Sequence, residues 1–119
     1  MEKRIYVAVA ATVQTPATVL QPYGRQIAQA CHVVSKLRYR EGHNTQYPFQ
    51  PVTTIILQAR DTKELLHIFK MAANARLKPV SFLDHNPGAY GNIGFHVTAV
   101  AFYATKEKNV ADYLPLWGS

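Results

Sequence analysis

Two continuous runs of β-branched, small and apolar residues constrain this chain more than any other feature: Arg4 to Thr12 (Arg-Ile-Tyr-Val-Ala-Val-Ala-Ala-Thr) and Val52 to Ala59. Neither run alternates polar with apolar residues as a strand with one wet face does, so each reads as a strand buried on both sides. Between them, from Tyr23 to about Arg40, Ile27, Ala30, Cys31, Val34 and Leu37 recur at steps of three and four. That period predicts a helix whose apolar face is made of these five residues, with Cys31 a small core side chain. Pro22 fits the helix start and Gly42 its end. Val13 to Pro22, which holds Pro16 and Pro22, is expected to be a loop.

The second half repeats the alternation. Residues 43 to 51 form a polar loop punctuated by proline. After the Val52–Ala59 strand, Asp61 or Thr62 can cap a helix with the apolar face Leu65, Leu66, Phe69, Ala72 and Ala73, ending near Arg76. Lys78 to Leu83 and Val97 to Ala104 are further strands, and Lys106 to Leu114 is a short final helix. Asp84 to Phe95 holds three glycines and a proline, which marks a sharply turning loop. The expectation is a single α/β domain in the order β-α-β-α-β-β-(α), a mixed four-stranded sheet with helices on both faces. A chain of 119 residues leaves room for one core only.

The charge is unevenly placed. Lys3, Arg4, Arg25, Lys36, Arg38 and Arg40 follow one another with no acid between residues 3 and 40, and the rest of the chain is nearly neutral, so the net +6 belongs to the first third. Such an excess favours a polyanion, RNA or DNA above all. The single cysteine excludes an internal disulfide and any multi-cysteine metal framework. The apolar run Ile5–Ala11 falls far short of the roughly 20 residues a membrane span needs, so no membrane partner is expected. No leader pattern stands out at the start, so a reducing, cytoplasmic setting is the expectation.

On the first helix Arg25, Gln29, His32 and Lys36 are spaced by four, three and four. At about 100° per residue they share an arc of about 60°. A cation, an amide, an imidazole and a second cation thus line one stripe, which is also what the wet side of an amphipathic helix looks like. Gly24 would let a ligand approach the helix start, where free N–H groups favour an anion.

The segment Gly24-Arg25-Gln26-Ile27-Ala28-Gln29-Ala30-Cys31-His32 resembles the Gly-Lys-x-Ala-Ala-Gln-x-x-His signature of the archaeal and eukaryotic-type peptidyl-tRNA hydrolases. Later segments are similar in the same order: Glu64-Leu65-Leu66 to that family's central helix, Pro79 to Asp84 to the strand ending in its Asp-Ala-Gly element, and Val97-Thr98-Ala99-Val100-Ala101 to its final strand. The resemblance covers about residues 4 to 104. It implies metal-independent hydrolysis of the ester between a peptide and the 3′ end of tRNA, without a cofactor. By the same resemblance Arg25, His32, Asp84 and Thr98 would be catalytic: Asp84, helped by His32, orients water or relays a proton, Arg25 binds phosphate or the developing oxyanion, and Thr98 supplies a hydroxyl donor. Gly24, Gln29, Lys36, His85 and Tyr90 would contact substrate. Arg25 stands where the family has lysine, and His85-Asn86-Pro87-Gly88 stands where it has Ala-Gly-x-Thr. A divergent, non-catalytic protein binding RNA or a small ligand on the same fold is therefore a second expectation, and an unrelated small-molecule enzyme with the glycine-rich loop closing over a pocket is a third.

Other candidates carry less. His43, His67, His85 and His96 are dispersed and form no helical pair with a carboxylate, so no metal site is expected. Tyr90 in the glycine-rich loop is the best placed aromatic for stacking a base. The apolar stretch Tyr113 to Trp117 is expected to dock, either on its own domain or on a second subunit of a homodimer.

Overall fold

A computed structural model describes residues 2–14, 18–41, 51–85 and 96–119. Strand β1 (Arg4–Ala10) lies inside a four-stranded sheet of order β4-β1-β6-β5, with β4 spanning Thr54–Ala59, β5 Val80–Asp84 and β6 His96–Ala104. β1 and β4 are parallel, from Ile5 opposite Thr54 to Ala10 opposite Ala59, whereas β6 runs antiparallel to both β1 and β5. The sheet is therefore mixed. Helix α1 (Tyr23–Arg40) covers one face and α2 (Thr62–Asn74) the other.

The unbroken apolar character of β1 follows from this sandwich. Its Ile5, Val7 and Val9 pack with Ala30, Val33 and Leu37 of α1, while Tyr6, Ala8 and Ala10 pack with Leu65, Ile68 and Ala72 of α2. Tyr6 also stacks on Phe102 of β6 with ring centroids 5.9 Å apart.

Four segments depart from the sequence expectations. The stretch after β1 is not only a loop: β2 (Thr12–Gln14) and β3 (Thr18–Leu20) pair antiparallel, because β-branched residues on both arms favour a ladder. The C-terminal piece is no helix beyond one 3-10 turn at Lys106–Lys108. Its continuation docks on its own domain: Gln58 N–H donates to the Pro115 carbonyl and Trp117 N–H to that of Ile56, both at 2.9 Å, covering the outer edge of β4. Asp84 belongs to no loop. It is the last residue of β5, opposite His96.

The fourth departure concerns α1. Its buried residues are Gln26, Gln29, Ala30, Val33 and Leu37, while Ile27 is 47% exposed and Cys31 is exposed too. The inward face is turned by about 80° from the one the apolar spacing predicts. Buried amides can take these positions because each finds a hydrogen-bond partner, as described next. Cys31 is thus a surface thiol and no part of the core.

Candidate functional site

The start of α1 is fixed by side-chain amides. Pro22 caps the helix without a side-chain hydrogen bond. Instead, buried Gln21 donates from Nε2 to the Ala10 carbonyl at 2.9 Å, Gln26 Nε2 donates to the Gln21 carbonyl at 2.8 Å, and Trp117 Nε1 donates to Gln26 Oε1 at 3.0 Å. Tyr23 meets the edge of Trp117 with centroids 5.4 Å apart. This relay ties the helix N-terminus to the C-terminal end of β1. Sequence reasoning missed it; the available signal was Gln21, Gln26 and Gln29 clustering at a helix start with a lone tryptophan far away.

From there the polar flank of α1 runs along β5. Gln29 Nε2 donates to Asp84 Oδ2 at 2.9 Å. One turn on, the His32 ring stacks on Phe82 at 4.9 Å and 25°. Lys36 Nζ then donates to the Ser81 carbonyl and an Arg40 guanidinium nitrogen to the Lys78 carbonyl, each at 2.7 Å. The stripe of Gln29, His32 and Lys36 is therefore no simple wet surface. It is the seam between helix and edge strand, and Gln29 is only 4% exposed.

The remaining expected residues lie around this seam. Arg25 is half-buried a turn before Gln29 and makes no hydrogen bond or ion pair among the described residues. Gly24 is exposed, and a Cβ there would meet nothing within 4 Å, so the fold itself does not require glycine. His85 is exposed just past β5, and Tyr90 lies outside the described residues. Lys36, though exposed, already has a carbonyl partner.

Thr98 marks an irregularity in the sheet. The register passes from Phe82 opposite Ala99 to Leu83 opposite Val97, so Thr98 is an extra residue on β6 beside the end of β5. Bulges of this kind re-aim side chains and are common beside active sites. Thr98 is fully buried, and its hydroxyl and the Gln29 Oε1 have no hydrogen-bond partner among the described residues. A buried polar atom left so costs about 1–3 kcal/mol. One carboxylate and one amide oxygen thus meet near the C-terminal end of β1, the end where open α/β sheets bind ligands, with the buried Thr98 hydroxyl on the strand between them and β1. Together they can orient a water, accept a proton and donate to a developing anion.

Among the described residues no three histidine, cysteine or acidic side chains are grouped to hold a metal ion, and no helix is long and apolar enough to cross a membrane. No protein-family profile matches the chain, and no curated protein sequence does either.

Proposed function

We propose that the protein hydrolyses the ester between a peptide and the 3′ end of tRNA, without a metal, in the cytoplasm where tRNA is used. The observation that carries this reading is the Gln29–Asp84 hydrogen bond, with the buried and unpartnered Gln29 Oε1 beside it. Gln29 holds one carboxylate oxygen and offers its own oxygen to a water. Asp84 takes a proton from that water as the water oxygen attacks the ester carbonyl. The Thr98 hydroxyl donates to the oxyanion that forms. Collapse breaks the bond between the acyl carbon and the ribose 3′ oxygen, which leaves with the proton held by Asp84. Arg25 grips a phosphate of the acceptor end, for which a fixed, always protonated fork suits better than an amine. His32, laid on Phe82 two residues before Asp84, keeps the edge strand in place and stands ready to relay the proton.

Purified protein and a peptidyl-tRNA substrate test this directly. Asp84→Asn should lower kcat by about 10²- to 10⁴-fold while leaving tRNA binding intact. Unchanged turnover in that variant, or none in the parent protein, would overturn the assignment. A second reading, tRNA binding without hydrolysis, is favoured by the Arg25 guanidinium, which has no partner among the described residues. It predicts salt-dependent tRNA binding that weakens in Arg25→Ala with no product formed.

A further inference from the structure

The opposite end of the sheet holds a concave feature. A cavity of about 750 Å³ opens where β1 and β4 begin and both helices end. Among the described residues its charged lining is Lys3, Arg40, Arg76, Lys78 and Lys108 against one carboxylate, Glu41. That carboxylate is already engaged, 2.9 Å from the Arg40 guanidinium. Val52, Leu77 and Tyr103 add apolar surface. Lys78 and Asp84 stand six positions apart in the chain, so at about 3.3 Å per extended residue the cavity adjoins the far end of the seam, up to about 20 Å from Asp84.

Two of the cations are held in a conformation that L side chains avoid. Arg76 has φ 61° and Lys78 φ 52°, both left-handed. Arg76 occupies the position after the α2 cap where glycine is the usual residue: its N–H donates to the Ala73 carbonyl and the next one, that of Leu77, to Ala72. Asparagine or glycine would sit in either place with less strain. Strained backbone that a better residue would relieve is a pointer to function. Here the feature gained is positive charge at the rim of a cavity.

We propose that this cavity binds a small phosphorylated ligand of nucleotide size, a nucleoside di- or triphosphate. Its volume is within the range of small-molecule sites, and charged and apolar walls side by side suit a ligand with phosphates at one end and a base at the other. Lys3, Arg76, Lys78 and Lys108 take the phosphates, and Val52, Leu77 and Tyr103 take the base. The cluster has no carboxylate free to compete, so affinity falls with salt and with every phosphate removed.

Calorimetric titration of the full chain with ATP, GTP, inorganic tripolyphosphate, adenosine and a single-stranded RNA 12-mer tests the site. The triphosphates should bind one per chain, tripolyphosphate more weakly and adenosine not at all. The double variant Arg76→Asn/Lys78→Asn, which suits the left-handed backbone, should lose about tenfold or more in ATP affinity with no drop in Tm. Absence of heat with either nucleoside triphosphate, unchanged affinity in the double variant, or displacement of the RNA 12-mer by ATP would overturn the proposal. None of these readouts depends on whether the protein hydrolyses peptidyl-tRNA.

Discussion

The two helices lie on opposite faces of one sheet, yet they are built on different terms. α2 is an ordinary amphipathic cover: Asp61 Oδ1 accepts from the Glu64 N–H at 2.9 Å, Glu64 Oε1 accepts from the Arg60 N–H at 2.8 Å, and Leu65, Ile68 and Ala72 are fully buried. This reciprocal cap and apolar stripe follow rules that any stable helix obeys. α1 has no side-chain cap and no acid in its first turn, and it buries Gln26 and Gln29 beside its aliphatic residues. Its polar contacts reach other elements, to Trp117 behind and to β5 alongside. A helix whose fixed contacts are spent on positioning polar atoms is where a chemical site can be held; a helix spent on apolar burial is where stability comes from.

That division can be broken by experiment. The largest effect should come from Leu65→Ala, which empties a fully buried place under α2 and should lower unfolding stability by about 2–5 kcal/mol in denaturant titrations. If turnover per folded molecule fell as well, α2 would not be a plain cover. Asp61→Ala removes the cap and should lower stability by about 1 kcal/mol. Gln29→Leu sharpens the contrast on the other face. It removes an unpartnered amide oxygen together with one hydrogen bond to Asp84, so stability should fall by about 1–2 kcal/mol at most while the proposed hydrolysis drops about tenfold or more. A loss of stability as large as that of Leu65→Ala would make Gln29 a structural residue. The smallest effect is on pH dependence. Burial, the largest influence, holds the Tyr103 phenol above its ordinary value of 10.0, against the opposing pull of Arg38. Its neutral form is favoured in the folded state, so its contribution is complete below pH 10 and is lost as pH rises through the higher folded value. Tyr103→Phe should therefore flatten the fall in Tm above pH 10 and leave Tm at neutral pH nearly unchanged.

The layered architecture was legible because its signals are local. The apolar runs Ile5–Ala10 and Ile55–Leu57 need cover, and α2 carries its own cap, although it buries Leu65, Ile68 and Ala72 and leaves Leu66 and Ala73, which the spacing places on the apolar face, exposed. The phase of α1 was not legible. Ile27, Cys31 and Val34 imitate an apolar face, and what outweighs them are hydrogen bonds to Asp84 and Trp117, 55 and 91 residues away. The register shift at Thr98 is likewise invisible along the chain, since it depends on how β5 meets β6. Of the expected site, the pairing of Gln29 with Asp84 joins a residue that helix spacing singles out to one that the family resemblance supplies. The left-handed Arg76 and Lys78 left no sequence signal at all, because nothing about an arginine after a helix announces its backbone angle.

The hydrogen bond from Trp117 to Gln26 has a consequence for the order in which the molecule can be completed. During synthesis the residues of α1 leave the ribosome long before Trp117, and β1 waits equally long for β6, its antiparallel neighbour. Pairings this distant in sequence form late and slowly. Until then Gln26 lacks the indole that engages its buried oxygen, and Gln29 lacks Asp84. The nascent protein therefore carries α1 well before Asp84 and Trp117, the two distant partners that hold the polar flank of that helix, have been made.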